Sequence, residues 1–337
     1  MRKKIIYVCS LSALCAAVAA GWLYASFYGS AVDERVKLVI EAEEYAAQAD
    51  KVKAVIRHDM AFDIYAKRIT LGRGIEAGEY EFEAGMSVID IARRLKFGND
   101  GTTRLTINNA RTPEQLAAKI ASQIDADSLS VIGALRNEEL IAEMGFESAE
   151  AMFSIFLPNT YEVYANISPE ALVRRMKRES DRFWSSEERQ QALARAEITP
   201  YEAMTLASIV HEETTVRDEM ARIAGVYINR LRRGMPLQAD PTVKYAVGDP
   251  ALKRILYRHL EVDSPYNTYL YAGLPPTPIA MPDMAAIEAV LCYEEHDYYY
   301  FCARAEMDGR HNFARTHREH ERNAAAYHRA LTRLRIR

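Results

Sequence analysis

Glu212 and Glu213 follow His211 on what reads as the last turn of a helix, and the run His211-Glu212-Glu213-Thr214-Thr215 begins like the zinc-protease motif. Thr215 stands where that motif needs its second histidine, so metal-assisted hydrolysis is not indicated. What remains is Glu213 itself. Helical spacing puts it one turn after Ile209 and Val210, so one flank of its carboxyl meets apolar surface. Partial desolvation raises a carboxyl pKa and keeps its proton near neutral pH. A general acid at a glycosidic bond needs that property. The same residue also reads as a solvated helix-end glutamate paired with Arg217 at i+4, which would lower its pKa. Spacing alone favours this second reading.

Two further clusters carry polar groups on constrained backbone. In Leu237-Gln238-Ala239-Asp240-Pro241-Thr242-Val243, an Asp-Pro-Thr turn would present a carboxylate and a hydroxyl beside the Gln238 amide. An Asx-turn that merely stops the chain uses the same residues. In Ser264-Pro265-Tyr266-Asn267-Thr268-Tyr269, continued by Gly273-Leu274-Pro275-Pro276, flat rings, an amide and hydroxyls sit on a rigid loop. That set suits a sugar chain, whose apolar faces stack on rings and whose hydroxyls need polar partners. A buried structural loop would be composed similarly. Other signatures fail. His317-Arg318-Glu319-His320 is one residue short of the inverted zinc motif. His317 and His320, at i and i+3, could share a metal, but two ligands do not close a site. Gly72-Arg73-Gly74 lacks the placed third glycine of a dinucleotide loop, and neither a Walker A loop nor a nucleophile elbow is present.

The elements that must position these groups can be read in part. Thr199-Pro200 opens a helix with Ala203, Leu206, Ala207 and Val210 on one face. The β-branched run Thr214-Thr215-Val216 should loosen it. A second helix puts Met220, Ile223, Ala224, Tyr227 and Leu231 on one face and stops at Gly234. Asp263 to Pro282 holds five prolines and reads as a long ordered loop. Tyr298 to Ala303 reads as a strand and Glu319 to Arg335 as a helix. Upstream, Gly78 to Phe82 alternates like a strand, and Ser87 caps a helix burying Val88, Ile91, Ala92 and Leu95. Arg104 to Ile107 alternates again, and Thr112-Pro113 opens another helix. Leu38 to Ile40 reads as a short strand and Tyr45 to Arg57 as a helix, but the order of elements between Val36 and Arg68 stays open.

The N-terminus adds a compartment. Met1-Arg2-Lys3-Lys4 precedes Ile5 to Phe27, 23 residues without a charge, long enough as a helix for a hydrocarbon core of about 30 Å. Basic residues before the span and acids after it (Asp33, Glu34) place its N-terminus in the cytoplasm. Trp22, Tyr24, Phe27 and Tyr28 form an interfacial aromatic belt at the far end. The run exceeds the apolar core of a cleaved signal peptide. Cys9 and Cys15 lie within it. Cys292 and Cys302, ten positions apart, are expected as two buried free thiols. The whole chain has 337 residues, 49% hydrophobic, with a formal charge of -4. That supports two folded domains and argues against nucleic acid as a partner, which would need a basic excess.

Taken in order, these segments resemble the endolytic murein transglycosylase, or YceG-like, family. Phe156-Leu157-Pro158-Asn159-Thr160-Tyr161 is similar to its aromatic-Pro-Asp-Thr-Tyr element, and Ala207 to Thr214 to its catalytic-glutamate helix. Val226 to Leu231, Leu237 to Tyr245, Tyr266 to Tyr269, Gly273 to Pro276, and Phe313 through His320 to Asn323 follow. The likeness is dense from about Phe153 to Tyr327 and thinner over Gly78 to Asn99, which resembles the family's LysM-like module. The family's Glu-x-Glu places its catalytic residue at Glu213. The chain departs from the pattern at His211 (family Glu), Asn159 (family Asp) and Thr277 (family Gly).

The resemblance implies an α+β fold in three parts: a transmembrane anchor at 1–30, a membrane-proximal region with the LysM-like module at 31–125, and a catalytic domain at 126–337. It implies a lytic transglycosylase at the cell membrane, its catalytic domain outside. Glu213 would be catalytic, and Gln238, Asp240, Thr242, Tyr266, Asn267, Thr268 and Tyr269 would bind the glycan. The partners would be peptidoglycan strands, with cell-wall synthesis proteins as candidates, and no metal or organic cofactor is implied. Two other readings share these residues: a hydrolytic muramidase using Asp240 as second carboxyl, and a non-catalytic glycan-binding scaffold.

Overall fold

The computed structural model describes residues 21–333, except 42, 70, 76, 98–101, 166, 250, 251, 253 and 254. Most of the expected anchor, residues 5–20, lies outside them. Among the described residues no helix is long and apolar enough to cross a membrane. The fold is mixed α+β and falls into two compact units. One runs up to Thr103 and includes Tyr164 and Ala165; the other comprises Arg104–Val163 and the chain from Ile167 onward.

The first unit resolves the order that periodicity leaves open. Strand β1 (Val36–Ile40), helices α1 (Tyr45–Lys53) and α2 (Asp59–Arg68), strand β2 (Gly78–Phe82) and helix α3 (Val88–Phe97) follow one another. β1 and β2 pair antiparallel, with Val36 opposite Phe82 and Leu38 opposite Tyr80. Alternation turns Val36, Leu38 and Ile40 inward and Lys37 outward. The inner face packs on Val52, Phe62, Ile91 and Leu95, all fully buried. Ser87 caps α3: its hydroxyl accepts from the Asp90 N–H at 3.2 Å and donates to the Asp90 carboxylate at 2.6 Å.

The second unit holds most of β3 (Thr102–Ile107) and of its partner β4 (Asn159–Tyr164). Between them lie α4 (Pro113–Ala121), α5 (Ser128–Leu135), α6 (Glu138–Glu143) and α7 (Ala149–Met152). Then come α8 (Pro169–Trp184), α9 (Glu187–Ala196), α10 (Pro200–Glu213), α11 (Arg217–Arg232), α12 (Asp240–Val247) and α13 (Met284–Leu291). A hairpin of β5 (Tyr300–Ala303) and β6 (His311–Ala314) and the helix α14 (His317–Arg333) complete it. One apolar cluster gathers Leu105, Leu116, Phe156, Val163 and Met176. The other gathers Leu206, Ile209, Ile223, Tyr227, Leu237, Ile279 and Val290 around α10, α11 and α13.

α10 is the axis of that second cluster. Thr199 and Glu202 form a reciprocal capping box at its start, and every residue from Ala203 to Val210 is buried. A helix apolar on all sides must be surrounded by protein. The Pro-rich segment from Asp263 to Pro282 supplies part of that cover. The Ile279 N–H donates to the fully buried Ser208 hydroxyl at 3.0 Å, and the Tyr201 hydroxyl donates to the Pro276 carbonyl at 2.7 Å. Both cysteines of this unit are free. Cys302 is half-buried on β5, where burial raises its thiol pKa. The expectation of two buried thiols is corrected at Cys292, which is exposed because it falls just past the last turn of α13.

Candidate active site

α10 leaves the core only in its last turn, where His211, Glu212 and Glu213 become half-buried. Thr214 is extended (φ −149°), so the helix ends at Glu213. A β-branched run has the least to gain from continuing a helix. Arg217 is not the partner of Glu213. Instead the Tyr227 hydroxyl, reaching over from α11, donates to Glu213 Oε1 at 2.6 Å. The Glu213 side chain keeps one face to an open cavity, but its carboxyl is enclosed by protein. That enclosure, more than the exposed fraction of the side chain, sets its proton affinity.

The Glu213 pKa is raised from 4.5 to about 7. Burial is the main cause; the Tyr227 hydrogen bond favours the carboxylate and opposes it, and the negative charge of Asp240 adds to the rise. The helix C-terminus, with its unsatisfied carbonyls, also disfavours a negative charge there. Tyr227 has its own pKa raised, by burial and by Glu213, so it stays a proton donor in the hydrogen bond.

Asp240 does not sit in an Asx-turn. It opens α12, with Pro241 beside it in the first turn. Its carboxylate accepts from the Tyr269 hydroxyl at 2.7 Å. Burial and Asp240 raise the Tyr269 pKa, so this donor too stays protonated. Gln238 adopts the left-handed region (φ +52°), a strained conformation for a side chain of this type. Its N–H donates to the Thr268 carbonyl at 3.0 Å, and its Oε1 accepts from Arg230 Nη1 at 3.1 Å. Arg230 also donates to the carbonyls of Tyr299 (2.6 Å), Pro236 (2.9 Å) and Leu237 (3.0 Å). One buried guanidinium thereby fixes the backbone on both sides of the cavity floor.

Glu213, Gln238, Asp240 and Tyr269 line one cavity of about 570 Å³, with Arg230, Tyr300, His317, His320 and Tyr327 among its other residues. Thr242, Asn267 and Thr268 do not line it. They are fully buried and join the loop to the floor. Asn267 Nδ2 donates to the Leu260 (2.9 Å) and Val262 (2.8 Å) carbonyls, and the Tyr269 N–H donates to Asn267 Oδ1 at 3.0 Å. The Thr268 hydroxyl accepts from the Ala239 N–H at 3.0 Å and shares a hydrogen bond with Thr242 at 2.8 Å. Tyr266 stacks obliquely on Tyr245, and its hydroxyl bonds Thr277 at 2.8 Å. The hydroxyl at Thr277 thus has a partner. At the other two departures, Asn159 Oδ1 accepts from the Thr160 N–H at 2.8 Å, and His211 Nδ1 lies 3.5 Å from the Asp283 carboxylate.

Sequence reasoning missed Tyr227 and Arg230 as site residues. Tyr227 reads as one more apolar-face position of α11, and only its hydroxyl hints at more. Arg230 lies three residues on, the same face of the helix, which is the one signal that could have linked the two. Chemically, the arrangement presents one protonated carboxyl near neutral pH beside a hydrogen-bonded carboxylate, in a cavity with rings on its walls.

Comparison with known proteins follows the same outline. Residues 40–326 match the profile of the YceG-like family. A Bacillus subtilis protein named endolytic murein transglycosylase is 32% identical over 292 residues, covering 82% of this chain and 79% of its own. A Streptococcus pneumoniae protein of the same name is 27% identical over 81% of this chain, which spans 54% of that longer relative. Among solved structures, a YceG-like protein from Listeria monocytogenes superposes with a TM-score of 0.55 at 27% identity, over 86% of this chain and 99% of that one.

Proposed function

The chain belongs to the YceG-like family, and from that premise we propose that it is an endolytic murein transglycosylase acting through Glu213. It cuts the β-1,4 bond from N-acetylmuramic acid to N-acetylglucosamine inside nascent glycan strands. The observation that carries this reading is the enclosed Glu213 carboxyl, held by Tyr227 on the cavity wall with a pKa of about 7. Glu213 gives its proton to the leaving oxygen as the C1–O bond breaks and an oxocarbenium-like centre develops. It then takes the proton of the muramic C6 hydroxyl as that oxygen attacks C1. The product carries a 1,6-anhydro end and no water is consumed, so strand growth stops there. One carboxyl serves as acid and then as base, whereas a hydrolase normally needs two.

Asp240, held by Tyr269, is the group that distinguishes the two chemistries. As a second carboxyl in a muramidase, its loss in Asp240→Asn would nearly abolish turnover, and products would carry reducing ends. As a positioning charge in a transglycosylase, the variant should keep measurable turnover and still release anhydro ends. Mass spectrometry of products from purified glycan strands reads this directly. Reducing ends from the wild type would overturn the transglycosylase reading.

The catalytic region faces the outside of the cell membrane in this proposal, tethered by an anchor within residues 1–30. The charge asymmetry around Ile5 to Phe27 supports that orientation. We place a LysM-like module in the membrane-proximal region 31–125, ahead of the catalytic region 126–337; the antiparallel pair β1–β2 enclosing two helices in the first unit supports the module. A C-terminal reporter that functions only in the cytoplasm should be silent. Strong reporter activity would reverse the topology.

A further inference from the structure

α14 is 17 residues long and contains no buried residue, although it packs on β5 and β6. A helix of this length in a globular unit ordinarily buries an apolar stripe. Here His317, His320, Ala324, Tyr327 and His328, at i, i+3, i+7, i+10 and i+11, form a stripe that lines the catalytic cavity. The core does not account for these rings. They alternate with a small residue, so Ala324 leaves a recess between the His320 and Tyr327 turns.

The inner end of the stripe is fixed. His320 stacks on Tyr300 with ring centroids 5.5 Å apart and planes 25° apart. The Arg230 guanidinium in turn lies 5.1 Å from the Tyr300 ring. The residue that holds Gln238 therefore also orders this wall. His320 Nδ1 is enclosed without a hydrogen-bond partner. Burial, with the neighbouring His317 and Arg230, pushes the His320 pKa down, which keeps the ring neutral at neutral pH. The wall offers flat ring faces with polar atoms at their edges. That suits a pyranose, which has one apolar C–H face and a hydroxyl rim.

We propose that the α14 wall is a second glycan subsite, seating sugar rings of the strand beyond the bond that Glu213 cleaves. The inference rests on the transglycosylase reading and deepens it. Cutting within a strand requires sugars to be held on both sides of the scissile bond, and binding energy from sugars remote from the reaction orients that bond. The occupant is the same strand, because the stripe and Glu213 line one continuous cavity.

The test compares wild type with His317→Ala/Tyr327→Ala on long purified strands and on a tetrasaccharide. Arg318→Ala, exposed and outside the cavity lining, serves as the control. The double variant should lose about ten-fold or more in kcat/KM on long strands, through KM, as two ring contacts are removed. Its activity on the tetrasaccharide should change less, and its fragment lengths should shift. Ala324→Leu, which fills the recess without removing a ring, should move KM the same way and guards against a folding artefact. Equilibrium binding of long strands in a Glu213→Gln background decides the subsite independently of turnover. Weaker binding by a similar factor supports it, and unchanged binding or unchanged KM overturns it. Absence of anhydro ends from wild type would count against the transglycosylase reading alone.

Discussion

Glu213→Gln should reduce release of anhydro-ended products by at least about 10²-fold, the usual contribution of a general acid–base group. Glycan binding should persist, because the amide keeps the shape of the carboxyl and can still accept from Tyr227. Two pH signatures separate this from a structural defect. In wild type the acid must carry its proton before bond cleavage, so kcat/KM should fall as pH rises above about 7, the raised Glu213 value. Stability should move the other way in the variant. A carboxyl that titrates near 4.5 unfolded and about 7 folded contributes stability that is complete below 4.5 and lost as pH rises through 7. By pH 8 the wild type has forfeited roughly 3 kcal/mol that the non-titrating glutamine does not. The variant should therefore melt higher than wild type at pH 8 and close to it at pH 4. Glu212→Gln, which breaks only the ion pair with the exposed Arg111, should leave turnover within a few-fold. Near-normal anhydro-product release by a folded Glu213→Gln protein would sink the assignment.

The elements were legible wherever one local signal dominated. Thr199-Pro200 and the periodic face of α10 each specify local geometry, and both appear in the structure. The same holds for Gly234, whose φ of +63° ends α11. The β-branched run after Glu213, expected to loosen the helix, instead ends it. The site was legible in its acid and only partly in its surroundings. The Tyr227–Glu213 bond joins two helices, and nothing in either helix's periodicity encodes which hydroxyl meets which carboxyl. The Tyr266 to Tyr269 loop shows the converse. Its composition suits a sugar surface, yet Asn267 and Thr268 spend their polar atoms on backbone and on Thr242. Only Tyr269 reaches the cavity. A buried loop and a binding loop need the same residue types, since both must satisfy polar groups on constrained backbone. His317 and His320 were visible as a pair at helical spacing. Their place beside Tyr300 depends on how α14 lies on the hairpin, a long-range contact that spacing does not report.

Gly225→Ala should destabilise the second unit by about 2 kcal/mol or more and disable the site with it. In an ordinary helix the change is favourable by about 1 kcal/mol, since alanine has the better helix propensity. Gly225 lies in the interior of α11, where a Cβ would overlap the Glu294 carbonyl oxygen and stand 2.8 Å from His296 Nε2. Neither neighbour can yield cheaply. The Glu294 N–H donates to the Ala221 carbonyl at 2.9 Å, and Arg222 bonds both Glu294 carboxylate oxygens. His296 Nε2 bonds the Arg222 carbonyl at 2.9 Å, and Asn229 Nδ2 donates to the His296 carbonyl at 2.7 Å. The 294–298 segment is thus strapped along α11 at three residues of the helix, Ala221, Arg222 and Asn229, and the added methyl must push the two apart. Overpacking against backbone outweighs the propensity gain. Tyr227 is two residues further along α11 and Arg230 five, so a shifted helix also displaces the hydroxyl that holds Glu213 and the guanidinium that holds Gln238. Thermal melting should show a drop of several degrees, and anhydro-product release should fall in the fraction that remains folded. An unchanged melting temperature with unchanged turnover would mean that α11 can move away from the 294–298 segment without disturbing the carboxyl it supports.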